Sequence, residues 1–92
     1  MGNRIFHPCP ICGNPVRHWE RYPRAVCSPC EAKACDERGR RLAFYNVSAA
    51  GGFEAIVVGT REIYPSHRCY IDGVACWADE ARFGGIVVQL HP

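Results

Sequence analysis

No stretch of this 92-residue sequence approaches the eighteen or so consecutive apolar residues of a membrane span, so no transmembrane helix is expected within it. Charge of one sign is equally scarce. Eleven Lys and Arg stand against nine Asp and Glu, a net charge of +2, far from the basic excess that marks a dedicated nucleic-acid-binding domain. There is no Ser-centred nucleophile elbow, no phosphate-cradling glycine loop and no paired-His metalloprotease motif, which removes the commonest signatures of hydrolases and nucleotide enzymes. Met1-Gly2-Asn3-Arg4 leads into no apolar signal-peptide core, and Phe6 stands where a myristoylation motif needs Ser or Thr. A cytoplasmic location is the expectation. Phe53…Ile56-Val57-Val58 and Phe83…Ile86-Val87-Val88 share a pattern, but one match so short is no internal repeat.

What the sequence does have is cysteine: seven, an odd number. Four of them form two Cys-x-x-Cys pairs, Cys9/Cys12 and Cys27/Cys30, with fourteen residues between the pairs. In a chain without a secretion signal, this spacing indicates metal ligation before it indicates disulfides. Each Cys-x-x-Cys turn brings two thiolates to one side of an ion, and four soft ligands suit the tetrahedral preference of zinc. Gly13, directly after the first pair, lets backbone amides approach sulfur with no Cβ in the way. Four thiolates fill the coordination sphere and leave no place for a water or a substrate, so the expected zinc is structural and not catalytic. His7 is an alternative ligand that four available cysteines make unnecessary.

Between the pairs, Val16, His18 and Glu20 alternate with Arg17, Trp19 and Arg21, the period of a strand, and Pro23-Arg24 would turn the chain back through Ala25-Val26. Paired knuckles at the open end of such a hairpin resemble the zinc-ribbon module, over about a quarter of the chain. The resemblance implies a structural zinc on Cys9, Cys12, Cys27 and Cys30 and leaves the function open. Arg17, Arg21 and Arg24, with Trp19 and Tyr22, form the one basic and aromatic cluster and are the candidate nucleic-acid contacts. The plainer reading is that the aromatics close a small core while the arginine stems lie across it. Residues 1–41 carry eight basic residues against four acidic ones, and 42–92 carry three against five. A tetrathiolate zinc site adds a further −2, which weakens the basic character of the first part.

After the second pair, Glu31 to Asp36 has helical residue types. Leu42–Val47, Phe53–Val58 and Ile86–Leu90 read as strands, with the Ile56-Val57-Val58 run suggesting burial on both faces. Asp72-Gly73 between two β-prone runs predicts a type I′ hairpin that pairs Ile71 with Val74, Tyr70 with Ala75 and Cys69 with Cys76. Cys69 and Cys76 are then opposed on an apolar face. They read as a reduced buried pair, as part of a second metal site with His67 or Cys35, or as a cross-strand disulfide. Trp77 to Phe83 has helical composition and spacing, with Gly84-Gly85 to end it.

The expected architecture is therefore a small β-rich α+β domain spanning 1–92. Its zinc-ribbon part (1–40) would pack on a β-rich part (41–92) made of an antiparallel sheet and one short helix. The preferred function is a non-catalytic protein-interaction module that contacts a protein partner or a second copy through apolar positions of the second part. Weak nucleic-acid binding through the ribbon arm comes second. A small enzyme centred on His67, Asp72 and Glu80, with Asp79 and Arg82 nearby, comes third.

Overall fold

The turn at Asp72-Gly73 sets the register of the C-terminal half. In the computed structural model, which describes residues 5–48, 52–81 and 85–91, Asp72 and Gly73 have φ of +50° and +79°. Two successive residues in the left-handed region make the type I′ turn, whose twist matches that of the strands it joins. The strands carry the register read from the sequence: Ile71 opposite Val74, Tyr70 opposite Ala75, Cys69 opposite Cys76.

In chain order the elements are β1 (Phe6–Pro8), β2 (Pro15–Arg17), α1 (Ser28–Glu31), β3 (Leu42–Tyr45), β4 (Glu54–Val57), β5 (Ile63–Tyr64), β6 (Arg68–Ile71), β7 (Val74–Glu80) and β8 (Ile86–Leu90). They form three antiparallel sheets, β1-β2, β3-β4-β5 and β6-β7-β8. The expected helix from Trp77 is not formed: Trp77 to Glu80 continue β7, while Arg82 and Phe83 lie outside the described residues. The reason is pairing. β7 is the central strand, bonded to β6 on one side and β8 on the other, and Cys76 and Ala78 are buried while Trp77 between them is exposed. That period of two and two ladders of hydrogen bonds outweigh the modest helix propensity of Ala and Glu.

The N-terminal hairpin also differs from the expectation. β2 pairs with β1, so the hairpin closes around the first cysteine pair and not between the two pairs. Cys9 N–H donates to Asn14 O at 2.7 Å and Gly13 N–H to Cys9 O at 2.9 Å, making the knuckle itself the turn. Beyond Arg17 the strand alternation stops, and the arm proceeds by turns at Trp19–Tyr22 and Tyr22–Ala25. Phe6 stays more than half exposed and adds little to the core. The helix expected over Glu31 to Asp36 is not formed: α1 is a single turn that starts at Ser28, where Pro29 fixes a helical φ at no cost in hydrogen bonds, and ends at Glu31, while Cys35 is drawn into bridges with Arg41 and Tyr70.

β4 alternates where burial on both faces was expected: Ala55 and Val57 are buried, Ile56 is half-buried and Val58 lies half exposed. The inward residues of both large sheets and the N-terminal segment share one buried cluster, in which Cys9, Val26, Cys27 and Cys30 pack with Leu42, Val57, Cys69, Ile71, Cys76, Ala78 and Val88. Backbone bonds fasten the same junction. Val26 N–H donates to Val88 O and Leu90 N–H to Arg24 O, while Cys35 and Tyr70 exchange both of theirs.

One charged residue sits inside this framework. The Asp36 carboxylate is almost fully buried and accepts from the Arg38 and Arg40 backbone N–H groups (both 2.9 Å) and from Arg40 Nε (2.8 Å). Burial acts to raise its pKa, but the bonds from Arg40 and Arg38 outweigh it and hold the carboxyl below the usual range. A folded-state pKa below the unfolded one contributes stability that is fully present above the unfolded value, near pH 4, and disappears as pH falls through the folded value. Asp36→Asn should therefore lower the melting temperature at pH 7 and flatten the loss of stability below pH 4. An acid limb identical to that of the unmodified chain in a pH series of thermal melts would show that the carboxylate does not have this role.

Candidate metal centre

The two Cys-x-x-Cys pairs reach one point from two different local structures. Cys9 and Cys12 sit in the turn of the β1-β2 hairpin, and Cys27 and Cys30 bracket the start of α1, with Cys27 at its N-cap. Their four Sγ atoms all lie within 4.8 Å of one another, and Cys12 and Cys27 approach to 3.5 Å. A tetrahedron with metal–sulfur bonds of about 2.3 Å has sulfur–sulfur edges of about 3.8 Å, which lies between these two limits. The donor set thus fits a soft divalent ion, and among the described residues it is the only group of three or more Cys, His, Asp or Glu that could hold one.

The electrostatics agree with the geometry. Cys9 Sγ accepts from the backbone N–H groups of Ile11 and Cys27, both at 3.4 Å. Burial opposes ionisation of Cys9, but the amides of Cys12, Cys27 and Ile11 outweigh it and lower the pKa to about 6. Burial pushes Cys27 and Cys30 the other way, and at Cys30 the neighbouring sulfurs add to it. Without a cation, one thiolate in the cluster suppresses the next; a divalent ion at the centre reverses that and lets all four ionise. Cys9, Cys27 and Cys30 are buried and Cys12 forms the exposed corner.

His7 takes no part in this group. Its Nε2 bonds Ala25 O at 2.8 Å and its Nδ1 meets His18 Nδ1 at 3.0 Å, which ties β1 to the arm. Cys69 and Cys76 are opposed, fully buried and free, and they gather no third metal-binding group among the described residues. Burial, with smaller contributions from neighbouring groups, raises Cys69 to about 12 and Cys76 to about 11, so both are protonated at neutral pH. Cys35 donates its thiol to Tyr70 O. Of the three candidate catalytic residues, Asp72 is at the β6-β7 turn beside Lys33 (3.7 Å), whereas His67 and Glu80 are at the other end of those strands. His67 Nδ1 bonds Ala78 O at 2.7 Å, and Glu80 accepts from Gly52 N–H at 2.8 Å.

The arm residues are spread along a surface. Trp19 stacks on Tyr22 with centroids 5.7 Å apart, and Arg17, Arg21 and Arg24 are exposed and form no ion pair among the described residues. Arg24 stands apart from the others in lining a groove with Trp77. The helical composition of Trp77 to Phe83 hides this surface position of Trp77. The alternation Cys76-Trp77-Ala78 was the signal for it. No protein-family model matches this chain, and no curated protein or solved structure matches it either.

Two outcomes follow from the cysteines. The purified chain should carry one equivalent of metal, and Cys27→Ser should lose both the ion and the N-terminal fold, as read by elemental analysis and circular dichroism. Full occupancy in that variant would exclude the ligand set. Alkylation at pH 7 should leave Cys69 and Cys76 unmodified until denaturant is added; labelling of both in the folded chain would contradict their burial.

Proposed function

We propose that this chain is a zinc-stapled, non-catalytic protein-interaction module, and that its contact surface is the outer face of the β3-β4-β5 sheet. The supporting observation is the composition of that face. Cross-strand pairing puts Ala43, Ile56 and Ile63 in one row, with Tyr45 beside Glu54 in the next, and exposed Val58 follows directly after β4. Tyr45 is 50%, Val58 52% and Ile63 57% exposed. A contiguous apolar sheet face of this kind is uncommon on an isolated small domain and typical of a surface that another protein covers.

Zinc is the ion we assign to the four thiols, because four cysteines with no oxygen or nitrogen donor select a soft tetrahedral ion. Its role is to hold the turn of the β1-β2 hairpin and the start of α1 together beneath the sheets. Binding of such an ion is coupled to folding, at about 10–16 kcal/mol apparent for small zinc modules. Removing it with a chelator should therefore unfold the N-terminal segment.

The simplest partner is a second copy. Fully burying a side chain such as Ile63 is worth about 2 kcal/mol, so replacing it with a charge should weaken association by roughly thirtyfold or more. Sedimentation of the metal-loaded chain should show concentration-dependent self-association that Ile63→Glu abolishes while metal content and melting temperature are kept. A chain that stays monomeric at about 1 mM, with no cross-links from Tyr45 or Ile63 to any other protein in a cell extract, would rule the face out as an interface.

A further inference from the structure

A column of stacked rings runs from the β3-β4-β5 sheet to the far edge of the molecule. Phe44 stacks on Phe53 (centroids 5.9 Å apart, planes 26° apart), Phe53 on His67 (4.4 Å, 18°) and His67 on Trp77 (5.0 Å, 10°). The series then breaks: the next ring, His91, is 5.3 Å from Trp77 but tilted by 46°. At that break Trp77 forms the ridge between two surface grooves. One, of about 540 Å³, is lined by Pro23, Arg24, Trp77, Gln89, Leu90 and His91. The other, of about 650 Å³, reaches from Trp77 to Arg68 and Arg38.

Around this ridge three arginines, Arg24, Arg38 and Arg68, form no ion pair among the described residues, against one such acid, Glu37. No Asp or Glu lines the first groove, and Arg24 forms no ion pair among the described residues. Arg68 makes its one side-chain bond to a histidine, His91 Nε2 at 3.3 Å. In the second groove Asp36 and Glu62 are both taken up by Arg40, which leaves Glu37 as the one acid without an ion pair. A half-exposed aromatic ridge with an arginine in the groove on either side suits a ligand that alternates flat rings with anionic linkers. In such a ligand a ring continues the stack on Trp77 and His91 while the flanking phosphates meet Arg24 on one side and Arg68 with Arg38 on the other.

We propose that the Trp77 ridge binds a short stretch of single-stranded nucleic acid without sequence preference. This site is separate from the ribbon-arm cluster of Arg17, Trp19 and Arg21, and from the apolar face of the β3-β4-β5 sheet. Each phosphate neutralised on a single strand contributes about 0.7 to the slope of log affinity against log salt, so three arginines set a slope of about −2. Binding is correspondingly weak, and stacking on one ring adds on the order of tenfold.

The test uses the metal-loaded Trp19→Phe chain, in which fluorescence reports Trp77 alone, titrated with oligo-dT and oligo-rU at 20–200 mM salt (roughly the range in which counterion release dominates). The expected result is quenching by both oligomers with a slope of about −2. Arg24→Ala and Arg68→Ala should each reduce that slope by about 0.7, Arg24→Lys should restore it, and Ile63→Glu should leave it unchanged. Both arginines are exposed, so metal content and melting temperature should stay constant across the series. Three results would overturn the proposal: no salt-dependent quenching at 20 mM salt (about the lowest practical value), a slope unaltered in both alanine variants, or equal competition by polyphosphate or polyglutamate at matched charge. The last would make the ridge a general anion or acidic-peptide surface.

Discussion

Four sulfur atoms held within 4.8 Å of one another are a liability unless a cation lies between them. Their burial opposes ionisation, their mutual repulsion opposes it further, and backbone N–H groups outweigh both at Cys9 only among the buried three. The cluster is also not peripheral. Cys9, Cys27 and Cys30 belong to the same buried cluster as Ile71, Cys76 and Val88, so whatever stabilises the thiolates also stabilises the floor on which the β6-β7-β8 sheet rests. In a chain of this length the apolar core alone is modest, and the binding free energy that a structural metal would supply is of the same order as the whole stability of a small domain. The N-terminal hairpin, the arm that bonds β8 and the short helix all hang on that point.

How much of this was legible in the sequence depends on whether the signal was local. The grouping of the four cysteines and the Asp72-Gly73 register were legible, because a Cys-x-x-Cys turn and a type I′ turn are decided by a few adjacent residues. The β3, β4 and β8 strands were legible for the same reason. Trp77 to Glu80 misled because its composition favours a helix while its position, between two strands that bond it on both edges, dictates a strand; that position is a tertiary fact. The arm misled in the opposite sense. Val16 to Arg21 alternates like a strand, but only Pro15–Arg17 finds a partner, in a three-residue β1 with a proline at its end that no periodicity would reveal. The half-exposed Val58 shows a third limit: an apolar run fixes that a strand exists, and only pairing fixes which face is covered.

The corrected strand matters for function, because alternation along β7 sends Cys76 and Ala78 into the core and Trp77 out to the surface. A helix would have grouped Trp77 with Ala81 on a buried face. The strand instead puts the indole at the end of a ring column that begins on the other large sheet, with His67 as the link: its ring lies between Phe53 and Trp77 and its Nδ1 bonds Ala78 O. The column thus splices the two three-stranded sheets, and its terminal ring is both a packing element and an exposed surface.

Two surfaces of different chemistry result from one set of alternations. Residues of β3, β4 and β5 that point away from the core, Tyr45, Ile56 and Ile63, form an apolar face with Glu54 as its one charged member among the strand residues. Around Trp77 three arginines have no acidic partner among the described residues, against one unpaired acid, Glu37. An apolar face gains from burial at any salt concentration, whereas an arginine-flanked ring gains from anions only while salt is low enough not to screen them. Ionic strength would therefore separate the two proposed surfaces: raising it would weaken a ligand held at the Trp77 ridge and leave contact on the sheet face nearly unchanged. The four-cysteine cluster lies in the core that both sheets share, so loss of a metal bound there would disable the two proposed surfaces together, while salt would disable only one.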